Sequence, residues 1–251
     1  MKALITGASS GIGRDFARAL DKMGYDLILA ARREDRMKEL AADLTHGAKI
    51  IPVDLSIREN CFKLYELTKD EDIDLLINNA GFGIFGAFSE IDLGRELEMI
   101  DVNVCAVDIL MKLFLKDFIK KDSGRILNVA SVAAFMPGPL LSSYYASKAY
   151  VLRLTEAVSY ELKKRGSRVR LSALCPGPVD TEFNDTAGVK FAVKGQNSAA
   201  VAEYALKKMF EDKVTIVPGA AFKVGSFLTR LMPKGVLLSI GYSFQRRKGE
   251  R

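Results

Sequence analysis

The sequence predicts an α/β fold, a doubly wound parallel sheet between two layers of helices in a single three-layer α/β/α domain. Three observations carry that expectation. Short apolar runs alternate with helical patterns along most of the 251 residues. The run at 73–77 sets Leu75, Leu76 and Ile77 in succession, as in a strand covered on both faces. A glycine-rich turn joins the first apolar run to the first helical pattern, where sheets of this kind carry a ligand-binding loop.

An apolar share of 49% with 27% charged residues describes a folded globule and excludes a disordered or fibrous chain. The length suits one domain. No uninterrupted apolar run reaches the roughly 18 residues of a spanning helix. Lys2-Ala3-Leu4-Ile5 already reads as a strand, so a cytoplasmic protein without a leader is expected. Cys61, Cys105 and Cys175 are scattered and odd in number, the wrong arithmetic for a disulfide framework. The one histidine, His46, falls in an expected solvated loop, so neither a metal site nor a Ser-His or Cys-His pairing is expected. Chemistry here falls to hydroxyls, phenols, amines or a cofactor. The net charge of +6 belongs to residues 222–251, where seven Lys/Arg face Glu250 alone. Residues 1–221 are therefore a nearly neutral body followed by a basic extension, which excludes a nucleic-acid-binding face.

Lys2–Thr6 reads as a strand and is followed by Thr6-Gly7-Ala8-Ser9-Ser10-Gly11-Ile12-Gly13. A helix comes next, with Phe16, Ala19, Leu20 and Met23 on one face and Gly24 at its end. Without Cβ atoms the backbone turns tightly and approaches a pyrophosphate, which the free N–H groups at the helix start attract. Nucleotide binding is the expectation. The second strand, Asp26–Ala31, ends without a carboxylate and runs into Arg32-Arg33. An acid at this place takes a ribose 2′-hydroxyl, whereas arginine accommodates a 2′-phosphate, so NADP(H) is expected over NAD(H). The alternative is that both arginines cap the loop before a helix at 36–44.

A strand at 49–53 delivers Asp54-Leu55, a helix follows at 59–68, and the strand at 73–77 delivers Asn78-Asn79-Ala80-Gly81. Right-handed crossovers bring all these motifs to the carboxyl ends of the strands, where such sheets bind ligands. One long helix is expected over 93–121, apolar at Leu97, Ile100, Val104, Val107, Met111, Phe114 and Phe118. Asn103 interrupts it, and an amide on an apolar face must be bonded. That leaves either a structural hydrogen-bonding residue or part of a proton path.

A strand at 125–130 delivers Ser131, and a helix over 143–165 carries Tyr144 and Lys148 one turn apart on one face. Such a pair can be a plain surface pair. Alternatively, a cation beside the phenol, whose ordinary pKa is about 10, lowers that value and readies the group for proton transfer. Ser131 would then hold a carbonyl or alcohol oxygen. A strand at 169–175 ends at Pro176-Gly177-Pro178-Val179. Residues 180–197 are expected to form a lid, followed by a helix at 199–210 and a strand at 215–217. The extension at 222–251 carries Phe227, Leu228, Leu231, Val236, Leu237, Leu238 and Ile240 among its cations. It suits a cap on the cleft, an oligomer contact, or a basic amphipathic element resting peripherally on an anionic membrane.

Together, and in this order, the motifs from Thr6 to about Pro218 resemble the compact branch of the short-chain dehydrogenase/reductase family. The resemblance implies a Rossmann-like fold with Tyr144 as general acid/base and Ser131 orienting the substrate oxygen. It implies that Lys148 binds the nicotinamide ribose and lowers the tyrosine pKa, and that Asn103 anchors a proton-relay water. Gly7, Ser9, Ser10, Gly11, Ile12 and Gly13 would surround the phosphates, with Arg32 and Arg33 at the 2′-phosphate. Asp54 and Leu55 would meet the adenine, while Asn79, Ala80 and Gly81 would lie along the cofactor. Pro176, Gly177, Val179 and Thr181 would frame the nicotinamide. Relatives preferring NADP often carry a basic residue where this chain has Ser10, which leaves the charge recognition to Arg32 and Arg33. Relatives also pair through the helices at 93–121 and 143–165, so a homodimer or homotetramer is expected.

The expected reaction is reversible hydride transfer between NADP(H) and a small carbonyl/alcohol substrate. The alternative is a non-catalytic NADP(H)-binding sensor or scaffold. Phe82, Ile84, Phe85, Phe88, Phe135, Met136, Leu140, Leu141 and Phe183 sit in loops near the expected site. They favour a hydrophobic ketone or 3-oxoacyl group, although about half equally suit core packing.

Overall fold

In the computed structural model, which describes residues 1–183 and 195–249, the sheet has seven parallel strands among those residues. They are β1 (Lys2–Thr6), β2 (Asp26–Ala31), β3 (Lys49–Pro52), β4 (Leu75–Asn78), β5 (Arg125–Val129), β6 (Arg170–Leu174) and β7 (Thr215–Ile216). Their spatial order is β3-β2-β1-β4-β5-β6-β7. Ile5 stands beside Leu29 on one side and Ile77 on the other. The winding reverses between β1 and β4, which opens a crevice above their carboxyl ends.

Helices α1 (Gly11–Lys22), α2 (Glu34–Asp43), α3 (Arg58–Glu66), α4 (Leu93–Ile100), α5 (Ala106–Lys120), α6 (Ser142–Lys164) and α7 (Ser198–Phe210) form the two outer layers. In α1, Phe16, Ala17 and Leu20 share the buried face, and Gly24, at φ +78, turns the chain out of the helix. Met37 and Leu40 of α2 and Val201, Leu206 and Met209 of α7 complete that layer. Leu64 of α3, Phe114 and Phe118 of α5 and Leu162 of α6 fill the opposite one. Phe114 and Phe118 are almost wholly buried with ring centroids 6.2 Å apart. Truncating either to alanine removes about 3–5 kcal/mol.

The helix expected over 93–121 is not continuous. A π-helical turn, Asp101–Cys105, separates α4 from α5, and its extra residue turns the fully buried Asn103 inward to bond the backbone of Phe82. The strand expected at 73–77 narrows to Leu75–Asn78, because Asp74 is occupied at the start of the neighbouring strand β1. Its carboxylate accepts from the Lys2 N–H at 2.9 Å and its own N–H donates to the Lys2 carbonyl. A short 3₁₀ turn, Val132–Phe135, follows β5 and was not expected. The remaining element ends differ from expectation by a residue or two, as fraying ends do.

Of the expected lid, Gln196 pairs with Val179 just before it, while 184–194 lies outside the described residues. The extension folds into α8 (Ala220–Leu228) and α9 (Lys234–Gly249). Among the described residues no helix is long and apolar enough to cross a membrane, and no cluster of His, Cys, Asp and Glu has the makings of a metal site.

Candidate active site

The crevice between β1 and β4 is part of a cleft of about 490 Å³. Its floor is knitted by Thr6. The Thr6 hydroxyl donates to the Ile77 carbonyl at 3.3 Å and accepts from the N–H groups of Asn79 (3.0 Å) and Ala80 (3.1 Å). Asn79 answers by donating its amide to the carbonyls of Thr6 (2.9 Å) and Gly7 (3.1 Å). Gly7 sits at φ +65, and a Cβ there would lie 2.8 Å from the Ala80 Cα, so the turn closes only with glycine.

Ser10 precedes α1 in extended conformation with no side-chain cap, and Gly7, Ser9, Ser10, Gly11 and Ile12 line the cleft. Gly13 does not line it. A Cβ there would stand 2.4 Å from both the Gly7 oxygen and Asn79 Nδ2, so its role is to let α1 press against the turn. The uncapped start of α1 and the cradle that a Cβ would fill suit the pyrophosphate of a dinucleotide.

Arg32, Arg33, Asp54 and Leu55 all line the cleft. Arg33 Nη2 donates to Ser10 Oγ at 2.8 Å and to Ser9 Oγ at 3.2 Å. Two hydroxyls and a guanidinium thus converge into a donor set that suits a phosphate group. Asp54 is engaged locally, its Oδ1 accepting from the Ser56 N–H (3.0 Å) and hydroxyl (2.8 Å). Asn79, Ala80 and Gly81 continue the floor, and Pro176, Gly177, Val179 and Thr181 form the opposite lip.

Ser131, Tyr144 and Lys148 line the same cleft. Ser131 lies just after β5 and accepts from the Ala133 N–H at 3.1 Å, which fixes its oxygen at the start of the 3₁₀ turn. Lys148 is buried, and Nζ donates to the Val129 carbonyl at 2.9 Å while lying 5.9 Å from the centre of the Tyr144 ring. The two side chains do share a face and a cleft.

The expected lowering of the tyrosine pKa is corrected by this geometry. Burial pushes the Tyr144 phenol up from its ordinary value, opposed by a hydrogen bond with Ser131. Burial also brings Lys148 down to about 8. Desolvation is the largest cause of both shifts, because both groups are buried and burial disfavours the charged form of each.

Asn103 lies behind that wall and does not line it. Its Oδ1 accepts from the Phe82 N–H at 3.0 Å, and its Nδ2 donates to the Phe82 carbonyl (2.9 Å) and Ser147 Oγ (3.1 Å). Gly81 permits this approach, since a Cβ there would lie 2.8 Å from Asn103 Oδ1 and 3.1 Å from Lys148 Nζ. Of the nine loop residues expected around a substrate, Phe82, Leu141 and Phe183 line the cleft. Ile84, Phe85, Phe88, Phe135, Met136 and Leu140 do not, and Phe88 is 65% exposed.

Sequence reasoning missed several contributors. Phe222, at the start of α8, closes one side of the cleft over Gly177. Gln245 of α9 donates to the Tyr145 hydroxyl at 2.7 Å, and Tyr145 meets Tyr144 edge to face at 6.1 Å. The extension is thus packed against the cleft. Asn78 donates to Asn128 at 2.8 Å, and Asn128 to Thr155 at 2.9 Å, a buried chain that ties β4 and β5 to the helix bearing Tyr144. Asn128 was the one visible signal, a lone amide in an apolar strand.

Residues 1–191 match the family model described as short chain dehydrogenase. An uncharacterized oxidoreductase of Staphylococcus epidermidis is 31% identical over 223 residues, 86% of this chain and 96% of that protein. A Rickettsia prowazekii protein named 3-oxoacyl-[acyl-carrier-protein] reductase FabG is 33% identical over 73% of this chain and 74% of its own. Among solved structures, a short-chain dehydrogenase from Sphingobium yanoikuyae in complex with NADPH superposes with a TM-score of 0.83 at 28% identity, covering 92% of this chain and 93% of that one. A short chain dehydrogenase/reductase from Burkholderia phymatum in complex with NAD gives 0.81 at 27% identity, over 90% and 92%.

Proposed function

The chain belongs to the short-chain dehydrogenase/reductase family, and we propose that it reduces a hydrophobic ketone or 3-oxoacyl group with NADPH, or runs the reverse oxidation. As a member of that family it is an oxidoreductase acting on alcohol and ketone groups with a nicotinamide dinucleotide. The observation that carries the finer reading is the convergence of Ser131, Tyr144 and Lys148 in one cleft with the uncapped start of α1.

The glycine turn would hold the coenzyme's pyrophosphate, Arg32 and Arg33 its 2′-phosphate, and Lys148 its nicotinamide ribose. When bound, the coenzyme supplies or accepts the hydride. In the reducing direction Ser131 Oγ holds the substrate oxygen while Tyr144 Oη gives up its proton to that oxygen. The raised phenol pKa keeps the proton on Tyr144 at neutral pH, the form that reduction consumes. Asn103, bonded to Phe82 and Ser147, fixes the backbone beside Gly81 and supports a water-borne path by which the phenol regains its proton.

Phe82, Leu141, Phe183 and Phe222 favour an apolar substrate, and the FabG-type relative makes a 3-oxoacyl group the first to test. A screen of ketones, 3-oxoacyl thioesters and alcohols, read by absorbance of the reduced coenzyme, tests the proposal. Turnover of an apolar ketone with NADPH is expected. Tight coenzyme binding without turnover of any of them would favour the sensor or scaffold instead.

Two further readings concern partners. Leu93, Leu97 and Tyr150 are exposed on α4 and α6 and support pairing through those helices, so light scattering is expected to give a dimer or tetramer, and a monomer would refute it. The extension carries Phe227, Leu231 and Ile240 at 53–69% exposure beside its cations, which supports peripheral contact with an anionic membrane. Sedimentation with anionic liposomes by the full chain, and not by one ending at Phe222, is the expected result.

A further inference from the structure

At the adenosine end of the cleft Glu182 holds two arginines at once. Its Oε2 accepts from Arg33 Nη1 at 2.7 Å, and its Oε1 accepts from Arg36 Nη1. Arg33 uses its other nitrogens on Ser9 and Ser10 of the glycine turn. One guanidinium therefore bridges the turn after β1 and the segment after β6. Arg36, one helical turn into the chain after Arg33, extends the cationic face beyond the residues that the sequence singled out. Two guanidiniums and two hydroxyls make a donor set suited to a phosphate monoester, and a carboxylate already sits in it.

Three features make that carboxylate an exchangeable occupant. The side chains of Arg33, Arg36 and Glu182 are 40%, 42% and 45% exposed, so an incoming ligand can reach them and each ion pair is weak. Arg33 and Arg36 hold the Glu182 carboxyl below its usual range, which keeps it charged at neutral pH. A phosphate monoester brings close to two negative charges and three acceptor oxygens against the carboxylate's one charge and two. The neighbours of Glu182 also belong to the cleft. The Thr181 methyl stands 3.0 Å from where a Gly11 Cβ would lie, and the Phe183 ring packs 5.4 Å from Tyr144.

We propose that Glu182 is a latch on the 2′-phosphate site: it occupies Arg33 and Arg36 until a coenzyme bearing a 2′-phosphate displaces it, whereas one lacking that phosphate leaves it closed. The inference rests on the reading of Arg33 as part of a 2′-phosphate site. It adds Arg36 to that site and makes Glu182 a determinant of coenzyme affinity.

The test is equilibrium binding of NADPH, NADH, 2′,5′-ADP and 5′-AMP to the full chain and to Glu182→Gln, Arg33→Ala and the double variant. Opening an exposed latch is worth about fivefold in Kd. Glu182→Gln is expected to tighten NADPH and 2′,5′-ADP by about that factor, to leave NADH and 5′-AMP within twofold, and to lose the gain in the Arg33→Ala background. Unchanged or weaker NADPH binding by Glu182→Gln, in a protein that still prefers NADPH to NADH, would overturn the latch and leave the coenzyme reading standing. Indifference to the 2′-phosphate in both wild type and Glu182→Gln would overturn both. A wild type without preference and a Glu182→Gln variant that gains one would support the latch.

Discussion

The wall of the cleft made by β1 and β4 is set by backbone, whereas the wall made by β5, β6 and the C-terminal helices is set by which side chains are buried. On the first wall, Gly7 at φ +65, Gly13 against the Gly7 carbonyl and the Thr6 hydroxyl between two strand ends leave little freedom. On the second, Tyr144, Lys148, Tyr145 and Gln245 come from two helices about a hundred residues apart in the chain, and their properties follow from desolvation. A backbone constraint is written in residue type and spacing. A desolvation effect depends on every neighbour, including those that arrive from the far end of the chain.

The largest effect should come from the second wall. Tyr144→Phe removes the proton that the proposed mechanism transfers to the substrate oxygen, and turnover should fall on the order of 10²–10⁴-fold. Coenzyme binding, which the glycine turn and the arginines of the first wall and Lys148 of the second would carry without the phenol oxygen, should stay within about twofold; equal loss of both would mean that the walls are not separable.

Next comes Lys148, whose pKa lies at about 8 in the folded chain against about 10.4 unfolded. A folded value below the unfolded one means that protonation opposes folding. The penalty is complete below about pH 8 and disappears as pH rises towards 10.4, on the order of 3 kcal/mol in all. Lys148→Met should therefore be the more stable protein at pH 7, with the gap in urea unfolding free energy closing towards pH 10. A gap independent of pH would show that burial does not set the lysine pKa.

Gly13→Ala probes the backbone wall. Its Cβ would meet the Gly7 oxygen and Asn79 Nδ2 at 2.4 Å, so a loss of about 1–3 kcal/mol in stability is expected, together with weaker coenzyme binding. Unchanged melting temperature and affinity would show that α1 does not press on the turn.

The smallest effect is expected at Gln245→Leu. The change removes the hydrogen bond to Tyr145 but also an amide oxygen that is buried without a partner among the described residues, so stability should change by less than about 1 kcal/mol. A rise in KM for an apolar substrate would then report Tyr145 drifting from Tyr144.

The same division explains how much could be read beforehand. The doubly wound parallel sheet, the glycine turn and the arginines after β2 followed from spacing and residue type, because each is needed by local backbone geometry or charge, whereas the place of Asn79 came from the family resemblance. The π-helical turn at Asp101–Cys105 did not, since the apolar stripe from Leu97 to Phe118 reads as one helix. Only the partners of Asn103, supplied by Phe82 and Ser147, show why the helix breaks there. Phe222 was equally hidden, because nothing local distinguishes a phenylalanine that turns into a cleft from one that stays in solvent, such as Phe227. The direction of the Tyr144 pKa shift was misread for a related reason: a lysine four residues away is visible in the sequence, and the burial of both groups is not.

Transfer of label from NADPH carrying deuterium at the reactive nicotinamide carbon to an apolar ketone tests the proposed chemistry most directly. Wild-type protein should deliver deuterium to the carbinol carbon of the product, and Tyr144→Phe should bind the coenzyme while forming that product at least about a hundredfold more slowly. Label appearing in the alcohol at an equal rate with Tyr144→Phe, or no labelled alcohol from the wild type despite tight coenzyme binding, would contradict it.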